Sequence, residues 1–170
     1  MFIDFLLLVA LYFLYFCRKW MNQGKDVFLV KTLMYVYLCA VMYFTLMPVI
    51  TALPFVFDHP YVMYLDPFAD LVYGWGNARQ EIILNILMTI PFGFLFPLTQ
   101  KEGKRSFGRT VIFTLLLSIG IELLQPLLHG DRSCDITDVI TNTIGGAFGY
   151  VLYSAFEPVT SFMLGKIRRK

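Results

Sequence analysis

Apolar residues fall along this chain in long runs, separated by short polar or aromatic connections. They do not alternate with polar residues. The first run covers about residues 1–17 and is closed by Arg18 and Lys19. Others cover about 27–50, 81–98, 110–128 and 138–156. Crossing a bilayer core takes roughly 20 apolar residues per helix. The pattern therefore predicts an all-α bundle of about five transmembrane helices, forming one domain over residues 1–170. Residues 51–80, TALPFVFDHPYVMYLDPFADLVYGWGNARQ, are too broken by Pro and Gly to span and too apolar for a free loop. Tyr61, Tyr64, Tyr73 and Trp75 suit headgroup level, where amphipathic rings settle. An interfacial or re-entrant segment between the second and third helices is expected.

Composition strengthens this picture. Of 170 residues, 58% are hydrophobic, 17% aromatic and only 15% charged, against about 25% charged in an average soluble domain. A cleaved signal peptide carries its positive charge ahead of the apolar run. Here Asp4 stands near the start and Arg18-Lys19 follow, so the first helix is expected to be retained. The net charge of +2 says less than its distribution. With the carboxyl end in the cytoplasm and five crossings, all but Arg79 and Arg132 of the 14 Lys and Arg fall on the inner side. That asymmetry predicts an outside amino terminus, since cytoplasmic loops carry the positive excess. Cys17 and Cys39 lie in or at apolar runs, while Cys134 falls in a polar loop open to an external thiol reagent. Three cysteines imply no disulfide framework. His59 and His129 have no ligand-like spacing and are expected to be structural.

The candidate chemistry is concentrated in IELLQPLLHGDRSCDITDVITNTIGGAFGY, residues 121–150. Residues three and four apart share a helix face. Glu81, Asn85 and Thr89 form one stripe on the third helix, and Ser118, Glu122 and Gln125 another on the fourth. On the fifth, Asp135, Asp138 and Asn142 continue into Gly145, Gly146 and Gly149, whose missing side chains allow close helix approach. At about 1.5 Å of rise per residue, Asn85, Glu122 and Asn142 each fall roughly 6–9 Å inside the outer end. Three helices thus place polar residues at one expected level. Pro91 removes a helical hydrogen bond and predicts a kink, with Gly93 easing the packing beside it. Thr137 or Asp138 is the expected cap of the fifth helix.

These residues carry a resemblance. NILMTIPFGFLFP, then ELLQ, then RSCDITDVITNTIGGAFGY resemble the VanZ-like family of small bacterial membrane proteins, best over residues 81–150. The matching positions are Asn85, Pro91, Gly93, Glu122, Gln125, Arg132, Asp135, Asp138, Asn142, Gly145 and Gly146. The resemblance implies a multi-pass protein of the bacterial cell membrane, associated with resistance to teicoplanin-type lipoglycopeptides. It supplies no catalytic residues.

An intramembrane carboxylate marks a functional site by default. The expected function is therefore an outer-leaflet polar pocket that binds a lipid or cell-wall-precursor headgroup. Asn85, Glu122, Gln125, Arg132, Asp135, Asp138 and Asn142 are its candidate ligand-binding residues, with Arg132 and Arg79 suited to phosphate. The alternative is an enzyme acting on a phosphorylated lipid, in which Glu122, Asp135 and Asp138 hold a divalent metal. A third reading makes the cluster a lock between helices. Membrane lipids are the expected partners, with a lipid-linked cell-wall precursor or a lipoglycopeptide beside them; nucleic acid is not. The sequence specifies no cofactor.

Overall fold

A computed structural model of the chain describes residues 1–56, 58, 60–129 and 132–169. His59, Asp131 and Lys170, which figure in the sequence patterns above, lie outside the described residues. The chain is built almost wholly from helices. α1 (Phe2–Leu11) continues through a π-helical stretch, Tyr12–Cys17, into α2 (Arg18–Met21). α3 (Lys25–Thr45) follows, and the long connection holds a 3₁₀ turn (Leu53–Phe55), β1 (Met63–Tyr64) and α4 (Ala69–Tyr73). Then come α5 (Ala78–Thr99), α6 (Phe107–Leu128), β2 (Cys134–Asp135) and α7 (Ile136–Arg169).

α3, α5 and α6 are long and apolar enough to cross a membrane. The other two expected spans fall on the α1–α2 run and on α7, and the expected count of five is not reproduced by length and composition among the described residues. α7 is 34 residues long, about 50 Å at the helical rise, so it outlasts the expected end near residue 156. Its Pro158 lies inside the helix without ending it. α3 stops earlier than expected, at Thr45. Pro48 lacks a donor and disfavours helical geometry in the residue before it. Asp4 holds the turn that follows: its Oδ1 accepts from the backbone N–H groups of Val49 (3.1 Å) and Ile50 (2.8 Å). α6 begins at Phe107, where the Ser106 hydroxyl accepts from the Arg109 N–H and satisfies one orphan amide.

α7 packs most extensively against α5 and next against α6. Glycine makes this possible. A Cβ on Gly93 would strike the Gly146 carbonyl, and one on Gly149 would strike the Ile90 carbonyl and the Gly93 backbone. Backbone thus touches backbone between α5 and α7, the small-residue packing expected from the glycine stripe. Pro91 is exposed within α5, on the side away from Gly93. The Tyr37 hydroxyl of α3 donates to the Met88 carbonyl at 2.8 Å, within a turn of that proline. Apolar clusters centred on Met34, Phe92 and Phe96, and on Val41, Leu46 and Ile121, fill the space between α3, α5 and α6.

The segment between α3 and α5 exposes Tyr61, Tyr64, Leu65, Val72, Tyr73 and Trp75. Its middle part is tied across the end of the bundle. β1 pairs in parallel with β2, Met63 opposite Cys134 and Tyr64 opposite Asp135. The Phe68 N–H donates to the Thr137 hydroxyl at 3.0 Å, and the Tyr61 hydroxyl to the Leu123 carbonyl at 3.2 Å.

Candidate functional site

The polar stripes of α5, α6 and α7 meet at the end of the bundle where α6 finishes and α7 begins. They meet in two tiers. The upper tier holds Asn85, Glu122 and Asp138, with Asp135 at the head of α7. Asn85 stands beside Asp138, and Glu122 Oε2 accepts from the Asp135 N–H at 3.0 Å. The lower tier holds Thr89, Ser118 and Asn142. The Asn142 amide nitrogen donates to the Ser118 hydroxyl at 2.9 Å, and the Thr89 hydroxyl donates to the Asn142 carbonyl at 2.7 Å. Asn142 was expected level with Glu122 and Asn85, but it sits one helical turn deeper. Helical repeat makes the shift regular: each lower-tier residue is four positions from an upper-tier one on the same helix.

Burial is nearly complete at the centre. Glu122 and Asn142 are each 2% exposed, Ser118 1% and Thr89 2%. Asp135, Asp138 and Asn85 are half-buried, and Arg132 is exposed. Glu122 feels the charges of Asp138 and Asp135, Asp138 feels those of Asp135 and Glu81, and both feel Arg132. Among the described residues an ion pair within 4 Å joins the Met1 amino group to Asp4, at 2.9 Å. No cation there is paired with Glu122, Asp135 or Asp138.

Several candidates have structural partners. Gln125 Nε2 donates to the Thr45 carbonyl at 3.3 Å, and His129 Nε2 lies 3.1 Å from the Leu46 carbonyl. Both satisfy carbonyls that α3 leaves orphaned at its end. Asp135, rather than Thr137 or Asp138, caps α7: its Oδ1 accepts from the Thr137 N–H at 2.7 Å. The Thr137 hydroxyl holds the Phe68 backbone instead, which leaves the Asp138 carboxylate free of capping. Asp4, Thr114, Thr137 and Tyr61 also contribute to this end or to its support. Their partners lie 45 or more residues away in three of the four cases, beyond any local spacing rule.

Cys134 does not lie open in a polar loop. It is 6% exposed, sits in β2, and its backbone N–H donates to the Val62 carbonyl at 3.0 Å. Burial pushes its thiol pKa upward, and the charges of Glu122 and Asp135 push in the same direction.

Among the described residues no three His, Cys, Asp or Glu side chains converge closely enough to hold a metal ion. Glu122, Asp135 and Asp138 are near in charge terms but spread over a helix end, a cap and a helix face. The metal-dependent alternative has no geometric support in this arrangement. Chemically, the site brings together carboxyl and amide oxygens, with more carboxyl groups than cations among the described residues, set between apolar helix walls.

The family model for VanZ/LLP1 matches residues 34–157. Protein VanZ of Enterococcus faecium is 40% identical over 95 residues, 56% of this chain and 54% of that protein. The chain thus spans about half the length of the curated relative it matches. No solved structure matches.

Proposed function

The chain belongs to the VanZ/LLP1 family, and on that premise we propose that it acts in resistance to teicoplanin-type lipoglycopeptides by binding a lipid or cell-wall-precursor headgroup at the two-tiered polar site. In this reading it is a multi-pass protein of the bacterial cell membrane. The α1–α2 run and α7 cross beside α3, α5 and α6, the amino terminus is outside, and the site faces the outer leaflet. One observation carries the proposal: Glu122, 2% exposed within an apolar helix, makes no ion pair within 4 Å among the described residues. A carboxylate kept at that depth costs several kcal/mol unless something compensates it, whereas a typical interhelical polar contact returns only about 0.6 kcal/mol. Helix locking accounts for Gln125 and for the Asn142–Ser118 bond; for Glu122 it supplies one hydrogen bond, from the Asp135 N–H, against the cost of burying a carboxylate.

In this proposal Glu122, Asp138 and Asn85 meet the headgroup. Asp135 and Asn142 hold the two tiers in place, and exposed Arg132 stands at the rim to meet phosphate. Headgroups that remain at this site are unavailable to a drug that must capture them. Mass spectrometry of the purified protein tests the proposal directly. A lipid retained by the wild-type chain and missing from Glu122→Gln supports it; identical lipid content in both rejects it.

A further inference from the structure

The oxygen atoms of the site are unbalanced. Among the described residues, Glu81, Glu122, Asp135 and Asp138 share one electrostatic neighbourhood with Arg132 as its positive member. Arg132 is exposed and makes no ion pair with them within 4 Å. Beneath them, Asn142 Oδ1 is fully buried and has no hydrogen-bond partner. The side chain is fixed by its amide nitrogen on Ser118. Cα–Cβ bonds in a helix tilt toward its N-terminus, so on α7 the Asn142 amide leans back toward Asp138 and Asp135. A buried acceptor without a donor costs about 1–3 kcal/mol and is a sign of a missing partner.

Carboxylates and an amide oxygen offer acceptors only. What complements them is a cation that brings N–H donors. A lysine-like ammonium does so with three donors on a compact charge. The flanks of the site are apolar and open: Leu84 of α5 and Leu123 of α6, each next in sequence to a site residue and about 100° round the helix from it, are exposed. A hydrocarbon chain running from the site would lie on them.

We propose that this end of the bundle binds the primary ammonium group of an amphiphile, with Glu122 and Asp138 supplying its counter-charge and Asn142 Oδ1 accepting one of its N–H groups. The inference rests on the headgroup-binding function proposed above and names the charge of the group that enters. Phosphate on the same ligand would remain at the rim with Arg132.

The test uses the full chain in maltoside micelles and measures binding of dodecylammonium, dodecyltrimethylammonium, dodecyl phosphate and chain-free ethanolammonium. Dodecylammonium is expected to bind at least about tenfold tighter than the other three, and to lose that margin in both Glu122→Gln and Asp138→Asn. Asp138 holds no structural capping bond, so its variant keeps the test valid where Glu122→Gln fails to fold. Dodecyl phosphate binding as tightly as the ammonium, or unchanged ammonium binding in Asp138→Asn, overturns the inference and leaves headgroup binding standing. Equal binding of the trimethyl compound removes the role of Asn142 Oδ1, and equal binding of ethanolammonium removes the amphiphile. If none of the four binds, the inference is overturned, and headgroup binding is decided separately by the lipid that the wild-type chain and Glu122→Gln retain.

Discussion

Glu122 of α6 accepts a hydrogen bond at 3.0 Å from the backbone N–H of Asp135, the residue that caps α7. One carboxylate therefore anchors the start of a neighbouring helix and, in the proposed function, also supplies the charge that meets the ligand. The two are separable. Glu122→Gln keeps an oxygen acceptor of the same shape and removes the charge, whereas Glu122→Ala removes both. Thermal unfolding in detergent should show Glu122→Ala destabilised by about 1–3 kcal/mol, the cost of leaving a buried donor unmet, with Glu122→Gln closer to wild type. Teicoplanin susceptibility at matched membrane abundance should rise in both. Normal resistance in Glu122→Gln would falsify a role for the charge.

The cap itself gives a second prediction. Asp135 Oδ1 satisfies the Thr137 N–H at 2.7 Å, and loss of such a cap typically costs about 1 kcal/mol. Asp135→Ala should lower the unfolding midpoint, and Asp135→Asn should recover most of it. Asp138→Ala should leave the cap intact. If Asp138→Ala destabilises as much as Asp135→Ala, the assignment of the cap is wrong.

Glycine contacts between α5 and α7 predict a steep steric penalty. A methyl group on Gly149 meets the Ile90 carbonyl and the Gly93 backbone, neither of which can turn aside. Gly149→Ala is expected to cost about 1–3 kcal/mol, as overpacking does, or to prevent assembly of the bundle. Gly120 in α6 has open space where its Cβ would stand. Gly120→Ala should be neutral or slightly stabilising, since Ala is the better helix former by up to about 1 kcal/mol. The contrast between the two, read by melting in the same detergent, isolates the helix contact from any general effect of the substitution.

The three apolar helices and the glycine stripe are legible because they depend on local periodicity. Residues 78–99 and 107–128 announce themselves by composition, and Gly145, Gly146 and Gly149 by spacing. The tiers were harder. Rise per residue gives depth only relative to a helix end, and it sets Glu81 and Asp138 level with each other only if both helices end at the same height. In the structure Asp138 stands beside Asn85, a shift of one turn that carries Asn142 down to Thr89 and Ser118. Nothing local specifies such a register; the backbone contact of Gly93 with Gly146 sets it. The cross-ties from Phe68 to Thr137 and from Tyr61 to Leu123 were illegible for the same reason, because they join segments more than 60 residues apart.

Cys134 supplies a prediction about reactivity. Its thiol is buried and its pKa is raised, chiefly by loss of solvent. A raised thiol pKa means less thiolate at neutral pH, and thiolate is the reactive form. Maleimide should therefore modify Cys134 slowly at neutral pH, with the rate climbing only toward alkaline pH. A variant carrying Asp58→Cys, at an exposed position of the α3–α5 connection, should react quickly. An impermeant maleimide applied to intact cells then reads orientation: labelling from outside places the connection at the outer surface, and protection places it inside. Rapid labelling of Cys134 itself in the folded protein would contradict its place in β2.

Arg132 separates function from stability most cleanly. Its side chain is exposed, and its backbone N–H donates to the His129 carbonyl at 3.1 Å whatever the side chain is. Substitution at such a surface position usually changes stability by less than about 0.5 kcal/mol. Arg132→Ala should therefore melt with the wild-type chain. A guanidinium at the rim contributes to ligand capture through charge and through its planar fork, and Lys supplies only the first. The expected order of teicoplanin resistance is wild type, then Arg132→Lys, then Arg132→Ala, at equal membrane abundance and with matched melting curves. An unchanged melt with graded loss of resistance places Arg132 on the ligand. If resistance is equal in all three, the rim makes no contribution and recognition is confined to Glu122, Asp138 and Asn142.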